Sequence, residues 1–288
     1  MVEILYRPFD ARWVFYADYV IERPREAVMR HMLAGGNLGL IAPRQSKEGL
    51  GALVTDRIIG HKAVSAYDIN YLFPLYLQPE AGDGLFRRED RVANLSPALP
   101  RFLDRLYGES PEPEKVFAYI YAVLYSPAYR ERYAPLLHGD FPRIPFPRDR
   151  RLFAALAALG DELIGLHLHR PERLGPPTAG LSVGRDRVTK TRRARRYDSE
   201  TRRVQVHEEG QYFYGIPPEV WSYRIGGYQV LERWLHARAD RRLTSEEIQS
   251  FCKTAAALQR TIEVQGRIDE VYREVEARVE AGSGSPVL

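Results

Sequence analysis

Nine basic residues, Arg185, Arg187, Lys190, Arg192, Arg193, Arg195, Arg196, Arg202 and Arg203, crowd one short segment against Asp186, Asp198 and Glu200. An arginine-rich ribbon follows phosphates, and each guanidinium can also read a guanine edge bidentately. A solvated edge hairpin, charged to resist aggregation, has the same composition. Arg44-Gln45-Ser46 follows the apolar run Leu38–Ala42. Arg pairs with guanine and Gln with adenine in the major groove, but the same tripeptide also makes an ordinary polar turn. Arg143, fixed between Pro142 and Ile144, either contacts DNA or pairs with Asp140 to hold its loop. Tyr223 and Arg224 lie in a loop that can reach bases; Gly226-Gly227 beside them suits a tight strand-to-helix turn.

No comparable set of residues supports catalysis. Methyl transfer to an exocyclic amine needs a [DNS]-P-P-[YFW] loop to hold the flipped base. The Pro pairs here, Pro176-Pro177 and Pro217-Pro218, have neither the polar residue before nor the aromatic after. No G-x-x-x-x-G-K-[ST] phosphate loop occurs, and Gly35, Gly36 and Gly39 lack dinucleotide-loop spacing. His167 and His169 diverge on a helix and make a poor metal pair; they read as surface or capping residues. Asp161-Glu162 is adjacent rather than face-sharing, and reads as a solvated pair. The one cysteine, Cys252, excludes a disulfide framework or a cysteine-rich zinc site and reads as a small buried hydrophobe. No catalytic residue, metal or cofactor is assigned.

The 288 residues suffice for a sizeable core, in one large domain or two intimate subdomains. Hydrophobic content of 44% and charged content of 28% are those of an ordinary globular chain. A net charge of +4 and a pI of about 9.1 permit a phosphate-binding face without demanding one. No apolar run reaches membrane-span length, and the N-terminal residues lack the blocks of a signal peptide, so a cytoplasmic protein is expected.

The elements that must position these residues are partly legible. Alternating apolar runs predict strands at Glu3–Tyr6, Trp13–Tyr16, Leu38–Ala42, Leu50–Ile59 and Ile69–Leu77, with a short helix from Pro24 to Leu33. Pro79 to Asp90 reads as an exposed loop. Val116, Phe117, Ile120, Tyr121 and Leu124 share one helical face. Ser126-Pro127 restarts a second helix through Tyr129, Tyr133 and Leu137, with Ser as cap and Pro in the first turn. Pro142, Pro145 and Pro147 forbid helix in the segment that follows. The tyrosines Tyr119, Tyr121, Tyr125, Tyr129 and Tyr133 fall at helical spacing and are expected in the core with bonded hydroxyls. A third helix carries Leu152 to Leu166, and Pro171 to Gly184 is a connector. Two or three strands follow from Arg187 to Tyr214, turning near Asp198–Thr201, and a helix runs from Tyr228 to Arg238. Thr244-Ser-Glu-Glu247 is a capping box for a last helix with Ile248, Phe251, Ala255, Leu258 and Ile262 inward.

Several motifs together, in order, resemble the C-terminal target-recognition region of the type ISP restriction–modification enzymes. They are Tyr6-Arg-Pro-Phe-Asp10 with Arg12; Asn37-Leu-Gly-Leu with Arg44-Gln45; Phe73-Pro-Leu-Tyr76; the block Tyr119 to Pro145; and Tyr223-Arg-Ile-Gly-Gly-Tyr-Gln-Val-Leu231 with Trp234-Leu235 and Arg238. The resemblance covers nearly the whole chain. It implies a domain that chooses the DNA site at which an adenine-N6 methyltransferase, a translocase and a nuclease of the same system act. None of those catalytic motifs is present here, so no catalytic residue is carried over.

The expectation is therefore an α+β fold: a β-rich part over 1–112, a helical core with a Pro-rich exit segment over 113–180, and a basic hairpin region with C-terminal helices over 181–281. Residues 282–288 are expected to be a disordered tail. The expected partner is double-stranded DNA, contacted by Arg44, Gln45, Arg143, Lys190, Arg192, Arg193, Arg195, Arg196, Tyr223 and Arg224. Two rivals remain: a fragment of an adenine methyltransferase that needs a partner chain, and an interaction scaffold that docks through Phe117 to Leu137.

Overall fold

The computed structural model describes residues 1–79, 91–182, 188, 196–207 and 210–281. The loop expected at 79–90 lies almost wholly outside the described residues, as do Arg185, Arg187, Lys190, Arg192, Arg193, Arg195 and the tail at 282–288.

The chain begins with a hairpin of β1 (Val2–Arg7) and β2 (Asp10–Val14), with Val2 opposite Val14 and Leu5 opposite Ala11. Helix α1 (Glu26–Leu33) follows. The run predicted as one strand over Leu50–Ile59 is two, β4 (Leu53–Thr55) and β5 (Ile58–Ile59), after β3 (Gly39–Pro43). The break has a local cause: the Thr55 hydroxyl accepts from Arg57 N–H and donates to Arg57 C=O, so the chain turns at Asp56. Strand β5 joins β1 in parallel, whereas β4 and β6 (Asn70–Pro74) flank β3 antiparallel. Asn37, buried beside α1, satisfies its whole amide: Nδ2 donates to the carbonyls of His31 and Tyr76, and Oδ1 accepts from Leu38 and Tyr76 N–H. It thus ties α1 to the start of β3 and to β7 (Tyr76–Leu77), which pairs with β8 (Val92–Ala93).

The middle of the chain is helical. Helix α2 (Ala98–Tyr107), not anticipated above, buries Leu99 and Leu103. Helix α3 (Pro113–Tyr125) runs to Ser126, whose hydroxyl accepts from Tyr129 N–H and so caps α4 (Pro127–Arg132). The expected second helix is in fact two short ones, α4 and α5 (Ala134–Leu137), because Pro135 cannot continue α4. Helix α6 (Arg150–His167) packs on α3 more extensively than any other pair of elements. The approach is close enough that a Cβ at Gly160 would lie 1.8 Å from the Ala118 carbonyl oxygen. Four of the five tyrosines, Tyr119, Tyr121, Tyr125 and Tyr129, are buried as expected, whereas Tyr133 is half-buried. The hydroxyls of Tyr119, Tyr125 and Tyr129 donate to the carbonyls of Pro145, Ala52 and Arg143 respectively. The apolar side chains of Phe117 to Leu137 are thereby mostly spent inside the chain; only Leu136 stands out, at 65% exposure.

The expected connector contains a short helix, α7 (Pro171–Leu174), and a strand, β9 (Gly180–Leu181). With β10 (Tyr197–Asp198), β11 (Arg203–Gln205) and β12 (Tyr212–Tyr214) it makes a sheet of order β10-β11-β12-β9. Asp198 closes the predicted turn by accepting from Glu200 and Thr201. Helix α8 (Pro218–Ser222) leads to a small hairpin, β13 (Arg224–Ile225) and β14 (Tyr228–Gln229), and then α9 (Val230–His236). Finally α10 (Ser245–Ala281) opens with the capping box as read: Thr244 Oγ1 accepts from Glu247 N–H, and Glu247 reaches back to Thr244 N–H. Its inward stripe continues through Thr261, Val264, Ile268, Tyr272 and Val275, so α10 spans α6, α4, α3 and α8 as a common backing.

Two buried polar clusters lock these layers. Arg238, 7% exposed, donates to Asp10 (2.8 Å), to Glu247 (3.0 Å) and to the Trp234 carbonyl (3.3 Å), with its guanidinium 3.6 Å from the Trp234 ring centroid. Asp10, 1% exposed, also accepts from Arg12 at 2.9 Å. Burial opposes charge on Glu247, yet Arg241, Thr244 N–H and Arg238 together hold its carboxyl below the ordinary value. The second cluster corrects the reading of His167 as a surface residue. It is 6% exposed, with Nδ1 facing the Tyr121 hydroxyl and Nε2 facing Thr261 Oγ1 at 2.9 Å. Thr261 spends its own proton on the Ala257 carbonyl, so His167 Nε2–H must donate and Nδ1 must accept from Tyr121. Tyr121 in turn accepts from Val54 N–H. Burial, and behind it the positive charge of His169 and Arg130, pushes the His167 pKa down to about 3. Asp161 and Glu162 are ion-paired rather than merely solvated, Asp161 with Arg173 and Glu162 with Arg260 and Arg267.

Candidate nucleic-acid interface

The exposed cations predicted for base contact come from segments far apart in sequence and meet around α5. Arg44 leaves the end of β3 and is exposed; its Nε donates to Asp140 Oδ1 at 3.0 Å. Gln45 beside it is exposed. Asp140 lies below the ordinary carboxylate range, first because the Phe141 N–H donates to it and then because Arg44 does. The pair anticipated between Arg143 and Asp140 is therefore made by Arg44 instead. Arg143 contributes its carbonyl, which anchors Tyr129, and leaves its side chain exposed.

The turn after Gln45 is rigid. The Ser46 hydroxyl donates to the Gly49 carbonyl, and Lys47 N–H donates to Asp68, which also accepts from the Ser65 hydroxyl. His138, just beyond α5, meets the Ser46 carbonyl through Nδ1; a carbonyl only accepts, so Nδ1 carries the proton. Against this turn sits the β13–β14 hairpin. Gly226 has φ of 54°, and a Cβ there would lie 2.1 Å from the Val64 carbonyl oxygen. A Cβ at Gly227 would lie 1.7 Å from Glu48 Oε2. The two glycines therefore serve a hairpin turn pressed onto residues 48–64, rather than a strand-to-helix turn.

This contact presents Arg224 at the rim, exposed, with Nη2 on the Gly227 carbonyl at 2.8 Å. Tyr223 goes the other way: its hydroxyl donates to Gln265 Oε1 of α10 at 3.1 Å, and burial raises its pKa. Between the turn, α5 and the hairpin lies a cleft of about 230 Å³, walled by Glu48, Arg130, His138 and Arg224. A second hollow of about 230 Å³ lies across Leu137, bordered by Tyr133, Leu136, Asp140, Phe141 and Arg143. Phe141 meets the outward rings of Tyr71 and Phe73 edge-on at 5.2 and 5.5 Å. The site is thus a cationic, partly aromatic surface built on α5.

Of the arginine-rich segment only Arg196, Arg202 and Arg203 are described; Arg196 is exposed, and Arg203 lies over the Tyr212 ring at 4.4 Å. Lys190, Arg192, Arg193 and Arg195 lie outside the described residues. Sequence reading missed Arg130 and His138. Their signal was weak: two polar residues inside an aromatic block that otherwise reads as core. Among the described residues no group of three or more His, Cys, Asp or Glu side chains is placed to hold a metal ion.

The described residues thus form a mixed α+β scaffold with a cationic rim around α5. The model of the Type ISP C-terminal specificity domain matches residues 1–266, and the chain belongs to that family. No curated protein sequence matches. Solved structures share the fold. A nuclease-deletion mutant of the Type ISP restriction-modification enzyme LlaGI, in complex with a DNA substrate mimic, aligns at a TM-score of 0.66 and 18% identity over 92% of this chain and 20% of that one. DrdV in its DNA complex aligns at 0.68 and 23% identity over 99% of this chain and 28% of that one. The ATP-dependent Type ISP enzyme LlaBIII, bound to DNA, aligns at 0.64 and 18% identity over 100% of this chain and 18% of that one. The chain therefore spans well under a third of the length of each of these proteins.

Proposed function

We propose that this chain reads a short, asymmetric double-stranded DNA site on behalf of a restriction–modification system, setting where other modules methylate adenine and cleave. The observation that carries the reading is the convergence on α5 of Arg44, Arg143 and Arg224, three exposed guanidiniums from separate parts of a specificity-domain fold. In this reading Arg44, Gln45, Arg143 and Arg224 reach base edges. Arg196 and its neighbours Lys190, Arg192, Arg193 and Arg195 grip the backbone. Tyr223 acts from behind, holding the hairpin on α10. The methyltransferase and the nuclease–translocase modules are the partners the reading requires, and the cytoplasm is its setting. No helix among the described residues is long and apolar enough to cross a membrane.

The test is selection of the purified chain on a randomised duplex library at two salt concentrations. Enrichment of one short motif is expected, with binding that weakens steeply as salt rises. Arg44→Ala or Arg224→Ala should then cost about 1–3 kcal/mol on the selected site and relax one position of it. Equal loss on every sequence would reassign those residues to phosphates, and no binding at either salt would end the reading.

A further inference from the structure

We propose that the Arg130 side of the cleft beneath α5 seats one backbone phosphate of the bound duplex, leaving Arg224 on the opposite rim free to reach a base. The inference rests on the DNA-reading function proposed above.

Arg130 differs from the other arginines of this surface in how it is held. Its side chain is half-buried, its Nε donates to the Leu124 carbonyl, and its guanidinium carbon lies 4.8 Å from the centroid of the buried Tyr125 ring. Those two contacts fix the plane of the guanidinium. No carboxylate pairs with it among the described residues, and the wall it forms is that of the cleft. A preorganised guanidinium loses little entropy on binding an anion and offers a planar fork that matches two phosphate oxygens.

The depth of the site decides which part of DNA it suits. Phosphates are the outermost groups of a duplex and can enter a recess, whereas base edges lie at the floor of a groove and need a protruding side chain. Arg130 is recessed; Arg224 projects from a hairpin. The one carboxylate in the wall, Glu48, lies against Gly227, on the Arg224 side. The nearby start of α4 does not supply the anion site: its Ser126 hydroxyl and Ala128 N–H are already taken by Asp269.

The experiment is duplex binding against salt for the wild-type chain, Arg130→Gln and Arg130→Lys, on the selected site and on an unrelated duplex. Gln keeps a donor for the Leu124 carbonyl but loses the charge. Arg130→Gln should weaken both duplexes by the same factor, roughly tenfold at 0.1 M salt, and flatten the plot of log K against log salt by about 0.9. Arg130→Lys should restore most of that slope. The base preference should not change. An unchanged slope, or relaxation at one base position, would overturn the phosphate seat. If Arg130→Gln unfolds, phenylglyoxal labelling of the wild-type chain decides: bound duplex should protect Arg130, and unprotected labelling would refute the proposal. Wild-type binding with an indistinguishable Arg130→Gln sinks this inference alone. No wild-type binding sinks it together with the function it rests on.

Discussion

Arg224, in β13, and Arg238, just beyond α9, belong to the same C-terminal motif and are used in opposite ways. Arg238 is buried, with a carboxylate from each end of the chain and the face of Trp234 around it. Arg224 is exposed, and its side chain donates to the Gly227 carbonyl of its own hairpin. The same contrast divides the opening motif, where Asp10 is buried in the clasp, from Arg44 and Gln45, which face solvent. The lesson is that these motifs mix two functions. Asp10 and Arg238 join the N-terminal hairpin to the C-terminal helices, while Arg44, Gln45 and Arg224 lie on the surface around α5, so that the C-terminal motif takes part in both.

The sharpest test of the division is to remove Arg238. Asp10 would be left buried with only Arg12 as a counter-charge, and breaking a buried pair costs about 3–5 kcal/mol. Arg238→Met should therefore lower the urea midpoint severely, whereas Arg224→Ala should leave it where it is. The double variant Asp10→Asn/Arg238→Met should recover part of the loss, because no buried charge is then orphaned. An Arg238→Met chain as stable as the wild type would erase the distinction between clasp and rim.

The buried histidine gives the next largest effect, through pH. The folded ring has its pKa pushed down to about 3 by burial, against an ordinary value near 6.5 in the unfolded chain. Between those values the unfolded state binds the extra proton and the folded state does not. The stabilisation is thus complete above about pH 6.5 and is lost progressively as pH falls towards 3. His169, pushed down to about 4 chiefly by burial, acts in the same direction. His167→Leu should be less stable than wild type at pH 7, since Tyr121 loses its acceptor. Its unfolding free energy should also fall less steeply on acidification, by up to about 1.4 kcal/mol per pH unit. Parallel stability–pH curves for the two proteins would place His167 outside the linkage.

The difference between clasp and rim also explains what was legible in the sequence. Elements whose cause is local could be read: the Thr244–Glu247 capping box, the Ser126 cap, the stripe of α3 and the turn closed by Asp198. Short apolar runs were read too long wherever one side chain turned the chain, as Thr55 does between β4 and β5. The short helix α2 went unread although Leu99, Leu103 and Leu106 carry a helical spacing, because Pro97, Pro100 and Gly108 crowd it. His167 was misplaced because a histidine near a helix end gives no sign of Thr261 and Tyr121, which arrive from other helices. The exposed arginines Arg44, Arg143 and Arg224 could be named singly from residue type, but their meeting at α5 depends on the Gly226 contact with Val64 and the His138 contact with Ser46. Arg130 was hidden for the same reason, since its value lies in what surrounds it.

The smallest expected effect concerns the Arg44–Asp140 ion pair of the rim. Arg44 and Asp140 are both more than half exposed, and a pair in that setting adds little to stability. Asp140→Asn should therefore leave the urea midpoint unchanged. Its effect should appear in binding, in two opposed ways. If this surface faces phosphates as proposed, loss of a carboxylate from it should raise affinity for every duplex by a few-fold, and more so at low salt. Loss of the charged partner that fixes the Arg44 guanidinium loosens the geometry on which a bidentate base contact depends, so the preference for the selected site over unrelated DNA narrows. The ratio of the two affinities separates the cases. A ratio that falls assigns Asp140 the task of aiming Arg44. A constant ratio with a general gain leaves only repulsion of the backbone, and a shifted urea midpoint would move this pair from the rim into the same class as the clasp.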